Sequence, residues 1–304
     1  MNIPVRKAAI LGLLGVVLVG CGEGVSPKAP TTPAAAGAPS SPASATAGPK
    51  PGPGAATGPG PEAAHRAAPP TMAPGPGGRA PVYTRRAAHS PRSAEKVVAL
   101  TFDADMTADQ GPRAARGERF DNPELIATLR RLKVDATVFM TGRWAEEYPD
   151  QARSIGGDPR FEIANHSYSH HAFSSPCYGL PTVPGPAMAA DVRRAFDAFR
   201  KAGAVHVVPY FRFPGGCYDD AALRALGPVG VTAVQWDVVS GDAFAEDADA
   251  VAAQVLDGVR PGSLVVMHCT RSAAPATERA VRRIVPELRA RGYRFVKVSD
   301  LMRG

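Results

Sequence analysis

The sequence has little of several things, and each shortage narrows what the protein can be. Cysteine is scarce: 4 in 304 residues, far too few for a scaffold held together by disulfides. Aromatic residues make up 7%, so any core rests mainly on aliphatic side chains. No apolar run reaches the ~20 residues that a membrane-spanning helix needs. The formal charge is +7, yet residues 94–304 contribute none of it, holding 26 basic and 26 acidic side chains. The surplus lies in residues 1–93, with nine Lys/Arg against Glu23 and Glu62. The part able to fold therefore lacks the basic face that DNA or RNA binding requires.

What is present divides the chain into three. Residues 1–20 begin with Arg6 and Lys7 and continue through about a dozen apolar residues, Ala8 to Val19. These are the lengths of the charged and apolar regions of a secretory signal. The end of this stretch, Leu18-Val19-Gly20-Cys21, resembles a bacterial lipobox, which implies that Cys21 is lipidated and becomes the first mature residue. An ordinary secretory signal with a chance cysteine is the alternative, and both export the chain. The expected location is the outer face of the cytoplasmic membrane, facing the cell wall. Residues 21–93 contain 16 of the 31 prolines among Ala, Gly, Ser and Thr. They show no apolar periodicity and too little hydrophobic surface to offset the entropy of ordering. The expectation is a disordered tether. Its Arg79, Arg85, Arg86 and Arg92 either form a solvated charge run or touch anionic wall polymer or lipid.

From residue 94 the pattern becomes β/α. Apolar runs at 96–102, 136–140, 161–164, 209–213, 232–236, 263–267 and 294–298 read as strands. Between them, 122–133, 144–155, 187–203, 219–226, 247–259 and 277–291 read as helices. Continuous apolar strands belong to a parallel sheet covered on both faces. One domain over 94–304 follows, an α/β barrel or doubly wound sheet of about seven strands. In such folds the chemistry sits at the C-terminal ends of the strands.

Those ends carry reactive residues. The first strand runs into Asp103 and Asp105, and the third into His166 and His170. Four apart, the two histidines would share a face on a helical turn, as two metal ligands must. Arg212 lies among apolar residues after the fourth strand and calls for a carboxylate partner. Asp237 and Asp242 follow the fifth strand, and His268 ends the strand that begins at Ser263. Each has an ordinary structural explanation when taken alone. Together they make a mixed His and carboxylate set suited to Zn²⁺ or another divalent transition metal. With a carboxylate to take a proton and a histidine to give one, metal-assisted hydrolysis of an acyl bond follows. No serine occupies a nucleophile elbow.

In order, the segments TFDAD (101–105), HSYSH (166–170), RFPGG (212–216), WDVVSGD (236–242) and LVVMH (264–268) resemble the five motifs of the polysaccharide deacetylases, the NodB-homology family. The resemblance implies a distorted (β/α) barrel and removal of N-acetyl, or in some members O-acetyl, groups from chitin-like polymers, peptidoglycan or xylan. It implies Asp103 as catalytic base, His268 as general acid, Arg212 orienting the base and Asp242 supporting the acid. His166 and His170 become metal ligands for one divalent ion, most simply zinc. Family members carry a second, metal-binding aspartate directly after the base. Here that residue is Ala104, so either Asp105 takes the role or the histidines hold the metal with waters or another residue. Ala243 stands where the family has tryptophan. The expected partners are an acetylated polysaccharide and, through the anchor, the membrane, with no nucleic acid and no protein partner. Two readings compete: a wall-binding module without catalysis, and a hydrolase of another amide or ester. Cys177, Cys217 and Cys269 remain after lipidation. Export allows one disulfide among them, the pair is open, and Cys177–Cys217 is favoured.

Overall fold

The computed structural model describes residues 68–304. The signal segment, Cys21 and most of the tether lie outside the described residues. Among the described residues nine strands form one sheet: β1 (Val82–Tyr83), β2 (Val97–Ala104), β3 (Ala136–Met140), β4 (Phe161–Asn165), β5 (Val207–Phe211), β6 (Thr232–Val234), β7 (Val238–Val239), β8 (Ser263–His268) and β9 (Arg294–Phe295). Their order is β1-β6-β5-β4-β3-β2-β8-β7, with β9 pairing β2, and every ladder is parallel. The sheet curls into a half-barrel, an open form of the distorted (β/α) barrel expected from the sequence, with nine strands where about seven were read.

The alternation along β2 shows how the sheet is filled. Val98, Leu100, Phe102 and Ala104 join the apolar layer between sheet and helices. Val97 and Ala99 face the other way, into a cluster with Phe139, Tyr210, Val234 and Leu264. Successive strand residues point to opposite faces, so Asp103 follows Val97 and Ala99 into the barrel. Ala104 is turned into the helix layer and is fully buried.

Among the described residues nine α-helices accompany the strands: α1 (Gly111–Ala115), α2 (Pro123–Arg131), α3 (Gly142–Glu147), α4 (Pro149–Gly156), α5 (Met188–Ala202), α6 (Asp220–Leu226), α7 (Ala248–Gly258), α8 (Thr277–Ala290) and α9 (Val298–Arg303). Local rules account for several ends. Asn122, Thr141, Asp219 and Asp247 each accept a backbone N–H at a helix start, the usual N-cap contact. Gly203 ends α5 in the left-handed conformation. Among the described residues no helix is long and apolar enough to cross a membrane.

Three expectations are corrected. The helix read over 144–155 is two helices, because the residue before a proline is pushed out of helical geometry: Tyr148 precedes Pro149 with φ −122° and ψ 58°. The strand read over 294–298 stops at Phe295. The chain then turns into α9, whose Val298 and Leu301 close the interior cluster.

The third correction moves the start of the folded part. Residues 68–93, read as the last part of the tether, are packed against the domain. β1 adds a strand beside β6, the Met72 amide donates to Thr232 Oγ1 at 3.2 Å, and Tyr210 Oη donates to Pro70 O at 2.7 Å. The basic residues here are not a free charge run. Arg79 pairs with Asp220 at 2.7 Å and Arg85 with Asp237 at 3.6 Å. Arg86 is buried and donates to the carbonyl of Arg92 at 2.9 Å. Edge pairing and buried contacts offset the entropy that composition alone could not.

This strap presses hardest at Gly227, where a β-carbon would come within 1.9 Å of the Gly78 carbonyl oxygen. Backbone cannot yield as a side-chain end can. Gly227→Ala is expected to lower stability by about 2 kcal/mol, the usual scale of overpacking, read as a lower denaturant midpoint with unchanged slope. An unchanged midpoint would show that the strap is not held there.

Candidate active site

The site grows from the aligned C-terminal ends of neighbouring strands. Asp103 on β2 lies directly opposite His268 on β8 in the parallel ladder. The chain beyond β4 and β5 continues the alignment, the His166 amide donating to Met140 O and the Arg212 amide to Asn165 O. The register that pairs the strands thus gathers Asp103, His166, Arg212 and His268.

Asp103 is anchored by Arg212, whose Nη1 donates to Oδ1 at 2.7 Å. Arg212 is fully buried. Its guanidinium carbon lies 3.8 Å from the centre of the Phe139 ring, and its remaining N–H groups donate to the carbonyls of Val234 and Gln235 at 3.2 and 3.4 Å. Burial pulls its pKa down and the Asp103 charge opposes this. The other carboxylate oxygen, Oδ2, stands 3.7 Å from His166 Nε2.

His166 and His170 do not lie on a helix as their spacing predicted. They flank an irregular turn in which Ser167 and His170 both have positive φ, 70° and 57°. The Ser167 amide donates to Asn165 Oδ1 and the His170 amide to Ser167 Oγ. The turn brings the two imidazoles to 5.1 Å between ring centres. His166 Nδ1 is 3.0 Å from the Arg212 carbonyl. A carbonyl only accepts, so Nδ1 carries the hydrogen and Nε2 keeps its lone pair. Burial lowers the pKa of both histidines, which favours neutral imidazoles.

Asp105 has the same parity as Asp103 but lies beyond the strand. Its carboxylate accepts from Thr270 Oγ1, and Oδ2 stands 3.5 Å from His170 Nε2. Burial would raise its pKa, but the electrostatic pull of the neighbouring histidines and the Thr270 hydroxyl outweigh burial and lower it. In kind, two neutral imidazoles and a carboxylate fit a divalent transition metal. In position they form two pairs, Asp103 with His166 and Asp105 with His170. Among the described residues, no group of three or more such side chains is placed to hold a metal ion.

His268 is built differently. Its Nδ1 lies 2.8 Å from Asp242 Oδ1, and its backbone N–H donates to Oδ2 of the same carboxylate at 2.7 Å. Ser240 and Thr277 hydroxyls complete that carboxylate at 2.8 and 2.6 Å. Burial disfavours the imidazolium, but the Asp242 hydrogen bond and charge win and push His268 up to about 9.

Thr270 and Thr277 were not singled out in the sequence, because isolated hydroxyls 165 and 35 residues from their partners carry no local signal. Asp237 turns away from this group, accepting from Ser263 and Leu264 at the start of β8. Cys177 and Cys217 form a disulfide. Cys269 is a buried free thiol.

Comparison with known proteins settles the kinship. The model of the polysaccharide deacetylase family matches residues 90–234. A chitooligosaccharide deacetylase from Sinorhizobium fredii is 30% identical over 198 residues, 62% of this chain and 86% of that protein. The chain belongs to the polysaccharide deacetylase family. A peptidoglycan-N-acetylglucosamine deacetylase from Bacillus cereus is 28% identical over 69% of this chain and 89% of its own length. A solved peptidoglycan N-acetylglucosamine deacetylase shares the fold, with a TM-score of 0.60 over 73% of this chain and 92% of that one, at 23% identity. The family match stops at residue 234, short of Asp242 and His268.

The Asp242–His268 pair has a testable titration. A histidine raised from its ordinary ~6.5 to about 9 contributes stability in full below ~6.5, and loses it as pH rises through 9. NMR titration of His268 in chelator-treated protein is expected to show a midpoint near 9, falling well below that in Asp242→Asn. An equal midpoint in the two proteins would refute the coupling.

Proposed function

We propose that this family member hydrolyses N-acetyl groups on a glycan of the N-acetylglucosamine type, in peptidoglycan or a chitin-like polymer. The observation that carries the reading is the pairing of Asp103 with His268 across adjacent strands, each with its own partner. A binding surface needs neither a separately oriented carboxylate nor a histidine held protonated.

In this reading Asp103 is the base. Arg212 grips Oδ1 and leaves Oδ2 to accept a proton from the attacking water. The water oxygen bonds to the acetyl carbonyl carbon. As the carbon–nitrogen bond breaks, the nitrogen leaves with a proton from His268 Nε2, since Nδ1 is committed to Asp242. The products are acetate and a free amine on the sugar. Asp242 keeps His268 charged and fixes which nitrogen faces the substrate. His166, His170 and Asp105 match a divalent ion, zinc by donor type, and are the residues that would hold it although they stand in two separate aspartate–histidine pairs; when bound the ion would polarise the carbonyl and make water more acidic. Asp105 thereby replaces the carboxylate lost at Ala104, whose side chain faces the helix layer.

The assay is acetate release from N-acetylglucosamine oligomers. Asp103→Asn is expected to lower kcat by ~10²–10⁴, the usual contribution of a positioned base, and Asp105→Ala to reduce the zinc retained on purification. Failure of the wild-type protein to release acetate from any acetylated glycan would sink the proposal, and unchanged metal content in Asp105→Ala would remove that residue from the ligand set.

We further propose that the chain is exported and anchored through a lipid on Cys21, which places the enzyme at the cell wall. The basis is the apolar segment ending in Leu18-Val19-Gly20-Cys21. Cells fed labelled fatty acid should incorporate label into the wild-type chain and not into Cys21→Ala; equal labelling would refute the anchor.

A further inference from the structure

Three aromatic side chains are exposed among the described residues, Tyr178 at 89% and Phe244 at 83% strongly and Tyr218 at 37% in part. All three stand on loops leaving the C-terminal ends of strands, the face that carries Asp103 and His268. Exposed apolar surface gathered beside a site marks a binding surface more often than a free-standing ring elsewhere does.

Two of the three are built into one structure. Tyr178 follows Cys177 in the loop after β4, and Tyr218 follows Cys217 in the loop after β5. The disulfide between those cysteines ties the loops together. Tyr218 stacks on Phe213, with ring centres 4.9 Å apart and planes within 16°. Tyr178 packs over Gly215, where a β-carbon would meet its ring at 3.3 Å and Cys177 Sγ at 2.6 Å. Gly215 and Gly216 both have positive φ, 63° and 73°, so this turn keeps its shape only without side chains.

The turn leads back to the chemistry. A β-carbon on Gly216 would strike the Trp236 ring at 2.5 Å, and that ring lies 5.5 Å from the guanidinium of Arg212, which holds Asp103. A chain of neighbouring groups therefore runs from Tyr178 over the bare glycine turn to Trp236 and the buried Arg212 that holds Asp103.

We propose that Tyr178, held by the Cys177–Cys217 cross-link, is a saccharide-stacking platform that binds a neighbouring sugar of the polymer while an acetylated unit occupies the site. The inference rests on the glycan reading above and adds to it a binding subsite and a length preference. A pyranose offers a face of C–H groups, and an exposed aromatic ring offers a flat apolar partner with little rotamer entropy to lose. The side chain makes few contacts that folding needs, so replacing it leaves the domain intact. The occupant is a β-linked N-acetylglucosamine unit, the chemistry that chitin-like chains and peptidoglycan strands share.

The experiment compares N-acetylglucosamine with its pentamer. Tyr178→Ala is expected to raise KM for the pentamer roughly tenfold, the scale of one aromatic contact. It should leave kcat within about twofold and kcat/KM for the monosaccharide unchanged. Tyr178→Phe should restore the pentamer KM, since stacking needs the ring and not the hydroxyl. Reducing the disulfide with dithiothreitol should reproduce the alanine effect in the wild type and add nothing in Tyr178→Ala. An unchanged pentamer KM in Tyr178→Ala, or an equal rise for monomer and pentamer, would overturn the subsite. Calorimetric titration of wild type and Tyr178→Ala with the pentamer separates the two proposals: acetate release failing while binding still weakens in the variant refutes only the deacetylase reading.

Discussion

A guanidinium with no access to water has to be satisfied entirely by protein, and Arg212 sets that demand at the heart of this molecule. Leaving a buried charge unpaired costs about 3–5 kcal/mol. Its needs are met from four directions: the carboxylate of Asp103 on β2, the ring of Phe139 on β3, and the carbonyls of Val234 on β6 and Gln235 just beyond it. Those groups converge only if the strand ends are in register. The stability of the sheet and the orientation of the base are thus one constraint seen from two sides.

The same logic explains the division of labour between the two aspartate–cation pairs. Asp103 faces an arginine, which stays charged and leaves the second carboxylate oxygen free. Asp242 faces a histidine and is surrounded by further donors from Ser240, Thr277 and the His268 backbone. That carboxylate is fully engaged and acts by holding a proton on its neighbour. Asp103 and His268, one from each pair, lie opposite each other on adjacent strands, and their environments push the roles of the pairs apart.

Much of this was legible in the residues. Continuous apolar runs separated by helix-spaced segments announced a covered parallel sheet, and reactive residues recurring at strand ends marked the face where chemistry occurs. Asp103, His166, Arg212 and His268 were legible because each interrupts or ends an apolar strand. The helical placement of His166 and His170 was wrong because spacing specifies separation along the chain, while hydrogen bonds to Asn165 and Ser167 bent the backbone into a tighter turn. Residues 68–93 were misread because composition reports average hydrophobicity. A single edge strand and a few deep contacts, such as Arg86 beneath the domain, suffice to order a proline-rich segment.

The sequence by itself determined the layered β/α architecture, the candidate residues and the charge balance of residues 94–304, since hydrophobic period and residue type are local properties. Tertiary structure alone decided three other matters: Asp105 set beside His170, Thr270 and Thr277 enlisted as partners, and two exposed tyrosines joined by one disulfide at the rim. Those decisions depend on strand register and loop closure, which bring together groups separated by up to 165 residues. No pattern along the chain encodes such distances. The charge with which the chain first presents itself changes meaning in the same way. Three of its basic residues, Arg79, Arg85 and Arg86, counted as part of a tether, prove to be paired with or buried against the domain, because burial and pairing are settled in space.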